Sequence, residues 1–503
     1  MAEEVLAKDR FATLDSDRGS TLDRAVLCSE LTVPYIFMEE GSSAQDDLSR
    51  EYVQGFGAKL VNNLVGKFAL TILPPAQPFY RFSPTEEALT QVANGNEKAI
   101  NEIEKILSTK EEAVLRYINK SNFRKSLYPA LRLSVVTGDS LIEMQDDDTF
   151  RVFNMRNYVI KRDSSGNIID LVIKEMINKN AVPDDINVSD NTDEEIELYT
   201  RMELVEGTFN FYQEIDGNKI NETTYKDFNE KFISLPFSLV LGEDYGRSYV
   251  EEHLGTFISL NKNLKVIVES GIVNAKTIFT LNPNGMTKYK DFVNAKNGDA
   301  IIGNETDIGI VRTNKFNDLQ ITYSMVQDYK KELSEAFLMG SSAVRDAERV
   351  TAREIQLIAN ELETSFGGIY TYISSSVQLP LINLALSKLK INLTKDVEVI
   401  VTAGVEALGR NVEITKLNNM IQELVMLANL VGSETVAKHI NTGSIVAGIV
   451  ANSGVASKNY LYTQSEVDAI TKQQKEDAIA QQVMQGGLPQ AGQNLANAGI
   501  PQQ

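Results

Sequence analysis

Residues 248–278 constrain this chain more than any other stretch. Val250, Leu254, Phe257, Leu264, Val268, Ile272 and Ala275 recur at helical spacing and predict one long helix with a continuous apolar stripe. At about 1.5 Å of rise per residue such a helix runs for ~45 Å. That length is unusual inside a compact domain, and a stripe so long needs something to cover it. A second helical pattern spans 322–339 and stops at Gly340-Ser341-Ser342. Between the two lies a Gly/Asn-rich stretch, 281–310, that reads as β-like.

Ahead of these helices the chain is first α-rich, then β-rich. Phe56, Leu60, Leu64 and Phe68 mark a helix within 51–73 that Pro74-Pro75 and Pro78 stop, and 89–135 reads as helix broken around 119–122. The pattern changes at Phe150. Residues 150–160 and 168–176 are β-rich and flank the turn Arg162-Asp163-Ser164-Ser165-Gly166-Asn167, a hairpin signal. Strand-like pieces at 196–205, 208–215 and 232–240 extend this into a mostly antiparallel segment over 150–240. After 340 the chain reads as a long helix, 351–389, with Gly367-Gly368 and Pro380 as interior breakers where kinks are expected. A strand at 397–402 precedes Gly404 and a helical tract at 412–450. From Lys472 to Gln503 the chain is rich in Gln, Ala and Gly and reads as a disordered tail. The fold class is α+β.

Composition narrows the chemistry. With 503 residues, 43% of them hydrophobic, the chain can build a large core and about three domains. Its net charge of −20 argues against gripping nucleic acid by neutralising phosphates, which requires Lys and Arg to release counterions. Cys28 is the only cysteine and His253 and His439 the only histidines, so no disulfide framework, thiolate metal site or His-based relay is expected. Cys28 is read as a small packed residue and His253 as an exposed helical one. A reducing cytoplasm suits such a chain. The start Met1-Ala2-Glu3-Glu4 is not a signal peptide, and the apolar run 60–73 is interrupted by Asn62, Asn63 and Lys67 and falls short of the ~20 residues that cross a bilayer. No membrane segment is expected. Phosphate-loop, His-Glu-x-x-His and Gly-x-Ser-x-Gly signatures are absent, so no enzyme is expected. Asp146-Asp147-Asp148 reads as a solvated turn, and 185–190 lacks the Gly and terminal Glu of a calcium loop. No cofactor or metal is expected.

What rises above background is an ordered set of segments. They are Gln54-Gly55-Phe56-Gly57-Ala58-Lys59-Leu60-Val61-Asn62-Asn63-Leu64, Tyr245-Gly246-Arg247-Ser248-Tyr249-Val250-Glu251-Glu252, Asn282-Pro283-Asn284-Gly285 and Glu348-Arg349-Val350-Thr351-Ala352-Arg353-Glu354-Ile355. Gly367-Gly368-Ile369-Tyr370, Gln378-Leu379-Pro380-Leu381 and Gly404-Val405-Glu406-Ala407-Leu408-Gly409-Arg410 follow. In this order they resemble the head-to-tail connector, or portal, proteins of short-tailed phages of the podovirus, Autographiviridae type. The resemblance runs from about residue 15 to about 450; beyond 471 only composition matches. Where the family is expected to carry a further aromatic after the Pro-rich helix stop, this Trp-free chain has Phe79 or Tyr80, a change expected to affect packing only.

The resemblance implies a portal fold assembled as a closed ring of roughly twelve copies. Each copy would have a β-rich wing, a helical stem, a protruding clip and a helical crown. Laid onto this sequence, 1–247 becomes the wing, helical at first and β-rich at 150–240. Residues 248–278 and 322–339 become the stem helices and 279–321 the clip. Residues 340–351 become a tunnel loop, 352–410 the wing's long helix and strand, 411–471 the crown and 472–503 the tail. The implied function is non-enzymatic: a ring at the unique capsid vertex that passes the genome in and out and docks the packaging motor and tail. Implied partners are further copies of the chain, double-stranded DNA, the terminase motor, a tail adaptor, and capsid and scaffold proteins. The implied place is the head-tail junction of a virion assembled in host bacterial cytoplasm. In this family the segment after the second stem helix lines the narrowest part of the channel, which makes Arg349 and Arg345 the DNA-facing candidates. Pairing of these arginines with Asp346, Glu348 or Glu354 on a solvated surface stays open as the alternative. An acidic bore with one narrow arginine ring would let a duplex slide yet hold it weakly. The runner-up class is another virion assembly protein, a tail adaptor ring or a scaffold; the β-rich block argues against a scaffold.

Overall fold

The computed structural model describes residues 5–38, 55–75, 79–85, 97–145, 147–181, 195–275, 278–311, 316–340, 352–393, 397–401, 419–427, 429 and 472–473. Arg345, Arg349, nearly all of the Gln-rich tail and most of 412–450 lie outside these residues. The chain divides into two units, one of residues 1–75 and 121–380, the other of 76–120 and 381–503.

In the first unit, helices α1 (Ala7–Ser16), α2 (Gly19–Thr32), α3 (Phe56–Ile72) and α4 (Phe123–Thr137) precede the strands. The stripe on α3 is buried from its second turn on, with Leu60, Val61, Leu64, Val65 and Phe68 all in the core and Phe56 half-buried. A side chain at Gly57 would press on the Leu31 carbonyl at 2.7 Å, so glycine lets α3 lie directly against the end of α2. Helix α4 ends on Gly138, whose φ of 100° is the left-handed conformation that glycine adopts without penalty.

Eight strands follow: β1 (Leu141–Met144), β2 (Phe150–Phe153), β3 (Tyr158–Arg162), β4 (Ile168–Asn178), β5 (Glu195–Val205), β6 (Thr208–Ile215), β7 (Asn218–Tyr225) and β8 (Phe232–Ser234). Strands β3 to β7 form an antiparallel meander in sequence order, and β1 lies between β2 and β8 in a second sheet. Period-two alternation explains how the meander is covered on both faces. Tyr158, Ile160, Leu171, Ile173, Met202 and Phe211 point into one cluster with Phe37, Phe153, Phe232 and Tyr245. Val159, Val172, Tyr199 and Tyr212 point the other way, onto Ala7, Phe11 and Leu14 of α1. The expected hairpin turn joins β3 to β4, with the Asp163 side chain accepting from the backbone N–H groups of Ser165 and Asn167.

The long helix departs from its expected form. It begins as a single turn, α5 (Tyr249–Glu252), breaks at His253, and continues as α6 (Leu254–Ala275). Ile278 already belongs to a strand, β9 (Ile278–Leu281). The stretch expected to be β-like through 310 pairs only at its ends, where β9 runs antiparallel to β10 (Ile308–Val311). Between them stands a short helix, α7 (Tyr289–Asn294). The returning helix α8 (Phe316–Ala336) begins before residue 322, and it lies antiparallel to α6: Thr256 near the start of α6 donates to Glu332 near the end of α8 at 3.1 Å. After 351 the expected single helix is two, α9 (Ala352–Phe366) and α10 (Gly368–Lys388), jointed at Gly367 with φ of 53°.

In the second unit, strand Tyr80–Pro84 pairs antiparallel with strand Val397–Val401, the strand expected at 397–402. Helix Glu97–Lys120 packs on it: the Tyr80 hydroxyl donates to the Glu111 carbonyl and Phe82 N–H to the Glu111 carboxylate, each at 2.6 Å. Phe79 and Tyr80 are both buried in edge-on contact at 5.2 Å. Residues 419–427, inside the expected tract 412–450, are helical.

Candidate functional site

The segment Tyr245-Gly246-Arg247-Ser248 seats the long helix on the sheets. Ser248 caps α5, its hydroxyl accepting from Glu251 N–H at 3.2 Å and donating to the Val135 carbonyl at 3.1 Å. A side chain at Gly246 would overlap the Gly138 carbonyl and Pro236, so two glycine backbones touch here. The Gly246 N–H donates at 3.2 Å to Asp139, a fully buried acid that also accepts from the Tyr158 hydroxyl at 3.1 Å and faces Arg162 at 3.7 Å. Burial pushes the Asp139 carboxyl up, and the Arg162 guanidinium opposes it. Next to it the buried Arg18 guanidinium donates to the carbonyls of Met155 and Tyr158 and to the Tyr245 hydroxyl. Every polar group of this buried knot has a partner across a large sequence separation, which ties the helix start rigidly to the meander.

At the same level α8 ends. Tyr249, Phe337, Phe366, Phe237 and Phe68 pack as one aromatic cluster, with ring centres 4.9 Å apart for Tyr249–Phe337 and Tyr249–Phe366 and 5.4 Å for Phe68–Phe366. The Tyr249 hydroxyl donates to the Ala336 carbonyl at 2.9 Å. Asn63 of α3 donates to the carbonyls of Phe337 and Leu338, and Lys67 donates to that of Leu338 while pairing with Glu361 of α9 at 2.8 Å. Side chains thus satisfy the orphan carbonyls of a helix end. His253 is not the exposed helical residue expected from sequence: it sits in the break, edge-on to Tyr249 at 4.9 Å and beside Phe337, and burial holds its imidazole below the usual value.

At the far end, Asn282-Pro283-Asn284-Gly285 forms a turn in which the Asn282 side chain accepts from Asn284 N–H and its carbonyl from Gly285 N–H, both at 3.0 Å. A side chain at Gly285 would strike the Asp307 carboxylate. That carboxylate accepts at 3.1 Å from both the backbone N–H and the hydroxyl of Thr287, contacts that hold it below the usual range. Around this polar latch several apolar side chains are exposed, Met286 to 73% and Ile302 to 82%.

The helix pair itself is bare over much of its length. Val266, Val268, Ile272 and Val273 of α6, and Ile321, Tyr323 and Met325 of α8, are exposed. Among the described residues, no group of three or more His, Cys, Asp or Glu is placed to hold a metal ion, and no helix is long and apolar enough to cross a membrane.

A family model described as bacteriophage head to tail connecting protein matches residues 5–461. The chain belongs to this family. Its curated relatives include the portal protein of Escherichia phage T7, 30% identical over 97% of this chain and 93% of that protein. The portal protein of Enterobacteria phage T3 is 29% identical over 93% and 90%, and that of Pseudomonas phage phiKMV 26% identical over 95% and 96%.

Within this connector chain most of the segments that carried the resemblance turn out to be joints. Gly57 closes α3 onto α2, 245–248 seat the long helix, 282–285 shape the distal turn, and Gly367 jointed to α10 lets buried Gln378 donate to the Ile72 carbonyl at 2.6 Å. Arg345, Arg349 and the segment 404–410 lie outside the described residues. Sequence reasoning missed Arg18, Asp139 and Lys67. Asn63 and Lys67 were visible only as interruptions of an apolar run, and that was the available signal: polar residues on the buried face of a helix need partners.

Proposed function

We propose that this chain is the portal subunit of a short-tailed phage, closing with roughly eleven further copies into a ring at one capsid vertex. The observation that carries the reading is the bare apolar stripe on α6 and α8. A helix pair whose base is buried by its own chain and whose shaft is not is built for a neighbour on each side. The names of the relatives support the same reading.

On this reading α5, α6 and α8 are the stem, 278–311 with its flanks the clip, and 340–351 the tunnel loop. Residues 1–247 and 352–410 are the wing, 411–471 the crown and 472–503 the tail. The ring is structural rather than catalytic. It passes double-stranded DNA, and the terminase motor that hydrolyses ATP, the tail adaptor, and capsid and scaffold proteins dock on it during assembly in the host bacterial cytoplasm. Arg349, with Arg345, faces the duplex at the constriction and holds it through phosphate contacts that salt weakens.

Purified protein should scatter light as a closed ring of about twelve subunits and show a central hole by electron microscopy. A stable monomer at micromolar concentration would sink the proposal. Arg349→Ala should leave ring mass unchanged and lower DNA retention; loss of ring stability instead would assign Arg349 to an ion pair.

A further inference from the structure

Arg132 of α4 is a cation for which the fold supplies no acceptor. Its guanidinium lies over the Tyr35 ring at 5.1 Å from the ring centre, and its Nε is buried without a hydrogen-bond partner. No ion pair or hydrogen bond reaches it among the described residues. The ring occupies one face of the guanidinium, whereas the donors point outward along its edge. A buried charged donor left unmet costs more than a neutral one, so its acceptor is to be sought outside the chain.

The surroundings have the same sign. Neither α3 nor α4 carries an Asp or Glu, in a chain with 69 acids against 49 Lys and Arg. Two of their cations are spent within the chain: Lys67 on Leu338 and Glu361, and Arg124 on the Leu73 and Pro74 carbonyls. Lys59, Lys125 and Arg132 remain, and among the described residues none of them has an ion pair. Positions 125, 128 and 132 share one face of α4, and the Tyr128 hydroxyl donates at 3.5 Å to Asn62, which shares a face of α3 with Lys59. The cations thus stand on adjoining helix faces that also present Tyr35, 59% exposed, and Tyr128, 36% exposed.

At a net charge of −20, copies set side by side repel wherever acidic surfaces face each other. An acid-free flank removes that repulsion and offers donors to the neighbour's carboxylates. A closed ring is heterologous, so one flank of each copy meets a different flank of the next, and a cationic flank is matched all the way round. Duplex DNA suits the face less well, because strong phosphate binding draws on many more cations than stand here. We propose that the α3–α4 face around Arg132 is a docking surface for carboxylates of the adjacent copy, with the edge of the Arg132 guanidinium taking one of them by paired hydrogen bonds. This rests on the ring reading above.

The test follows full-length wild type, Arg132→Ala and Arg132→Lys by mass photometry over a range of protein and salt concentrations, and by thermal unfolding of the subunit diluted until its rings fall apart. Wild-type rings should dissociate more readily as salt rises. Arg132→Ala should raise the concentration of half-dissociation about tenfold at low salt and flatten its salt dependence. Arg132→Lys should recover only part of the loss, because an ammonium cannot make the paired bond. The dissociated subunit should melt at the same temperature in all three, and irradiated rings carrying Tyr35→benzoylphenylalanine should give covalent multimers. Unchanged dissociation of Arg132→Ala rings would overturn the inference and leave the ring standing, as would a lower melting temperature of the dissociated subunit, which marks a structural role. Cross-links confined to one chain would overturn it too, and so would rings of normal strength that bind DNA less tightly, which would assign the face to phosphates. A wild type that stays monomeric would remove the ring reading itself and this inference with it. Should Arg132→Ala fail to fold, Lys59→Glu with Lys125→Glu, both at exposed positions, carries the same measurements.

Discussion

The two ends of α6 obey different rules. At its base Phe257 and Leu260 are 0% exposed, Phe337 stands edge-on to Phe257 at 5.7 Å, and Val326 and Leu333 of α8 are buried as well. Farther along the same helix Val268 is 52% and Ile272 56% exposed, although the spacing of apolar residues is the same. A fully buried aliphatic side chain stabilises by about 1.5–3 kcal/mol, and the shaft leaves that gain unrealised within one chain. In the proposed ring the base belongs to the subunit and the shaft to the assembly. The same contrast separates the Asp139 knot, which is fully buried and joins the helix start to the meander, from the distal Asp307 latch, which closes on Thr287 within 278–311.

The largest effect should come from cutting into the base. Phe337→Ala removes a ring that touches Tyr249, His253 and Phe257, and is expected to cost about 3–5 kcal/mol in urea unfolding. A cost as small as that of a surface change would erase the distinction between base and shaft. The matching change on the shaft, Val268→Asp with Ile272→Asp, should alter subunit stability by less than about 1 kcal/mol while abolishing the ring in light scattering. Rings of normal mass from this variant would show that the stripe is not the interface.

Acid should loosen the two ends in sequence. Burial holds His253 below its usual value, so the folded base disfavours the imidazolium; its contribution is present above the unfolded histidine range of about 6.5 and is lost as pH falls through the lower folded value. Asp307 is depressed chiefly by the Thr287 N–H, so the latch contributes above the unfolded carboxylate range of about 3.9 and is lost only as pH falls below it. Amide exchange should therefore rise at 249–257 once pH falls below the unfolded histidine range of about 6.5, with Asn282 and Thr287 protected until pH falls below the unfolded carboxylate range of about 3.9. The reverse order would break the comparison. The smallest effect is expected on the exposed face of α8, where Lys331 stands 4.0 Å from Glu335. Lys331→Ala should change thermal stability by less than about 0.5 kcal/mol.

Much of this architecture follows from sequence periodicity alone. The alternation through Tyr158, Val159 and Ile160 and again through Leu171, Val172 and Ile173 specifies strands with two covered faces, because adjacent side chains in a strand cannot share a face. The stripe of 248–278 likewise specifies a rod, and the ordered segments specify the connector family. Tertiary structure decided the rest. Residues 281–310 carry strand-like composition, yet only Ile278–Leu281 and Ile308–Val311 pair, because a two-stranded ladder extends only as far as its partner does. The break at His253 lies against Tyr249 of the preceding turn, and Phe337 and Phe366 arrive from distant parts of the chain to complete the aromatic cluster there. Asn63, Lys67 and Asp139 read in sequence as ordinary polar residues. The burial of Lys67 and Asp139 is tolerable only because Leu338, Glu361, Arg162 and Gly246 meet them in space, and the desolvation cost of a buried polar group is set by those partners rather than by its neighbours along the chain.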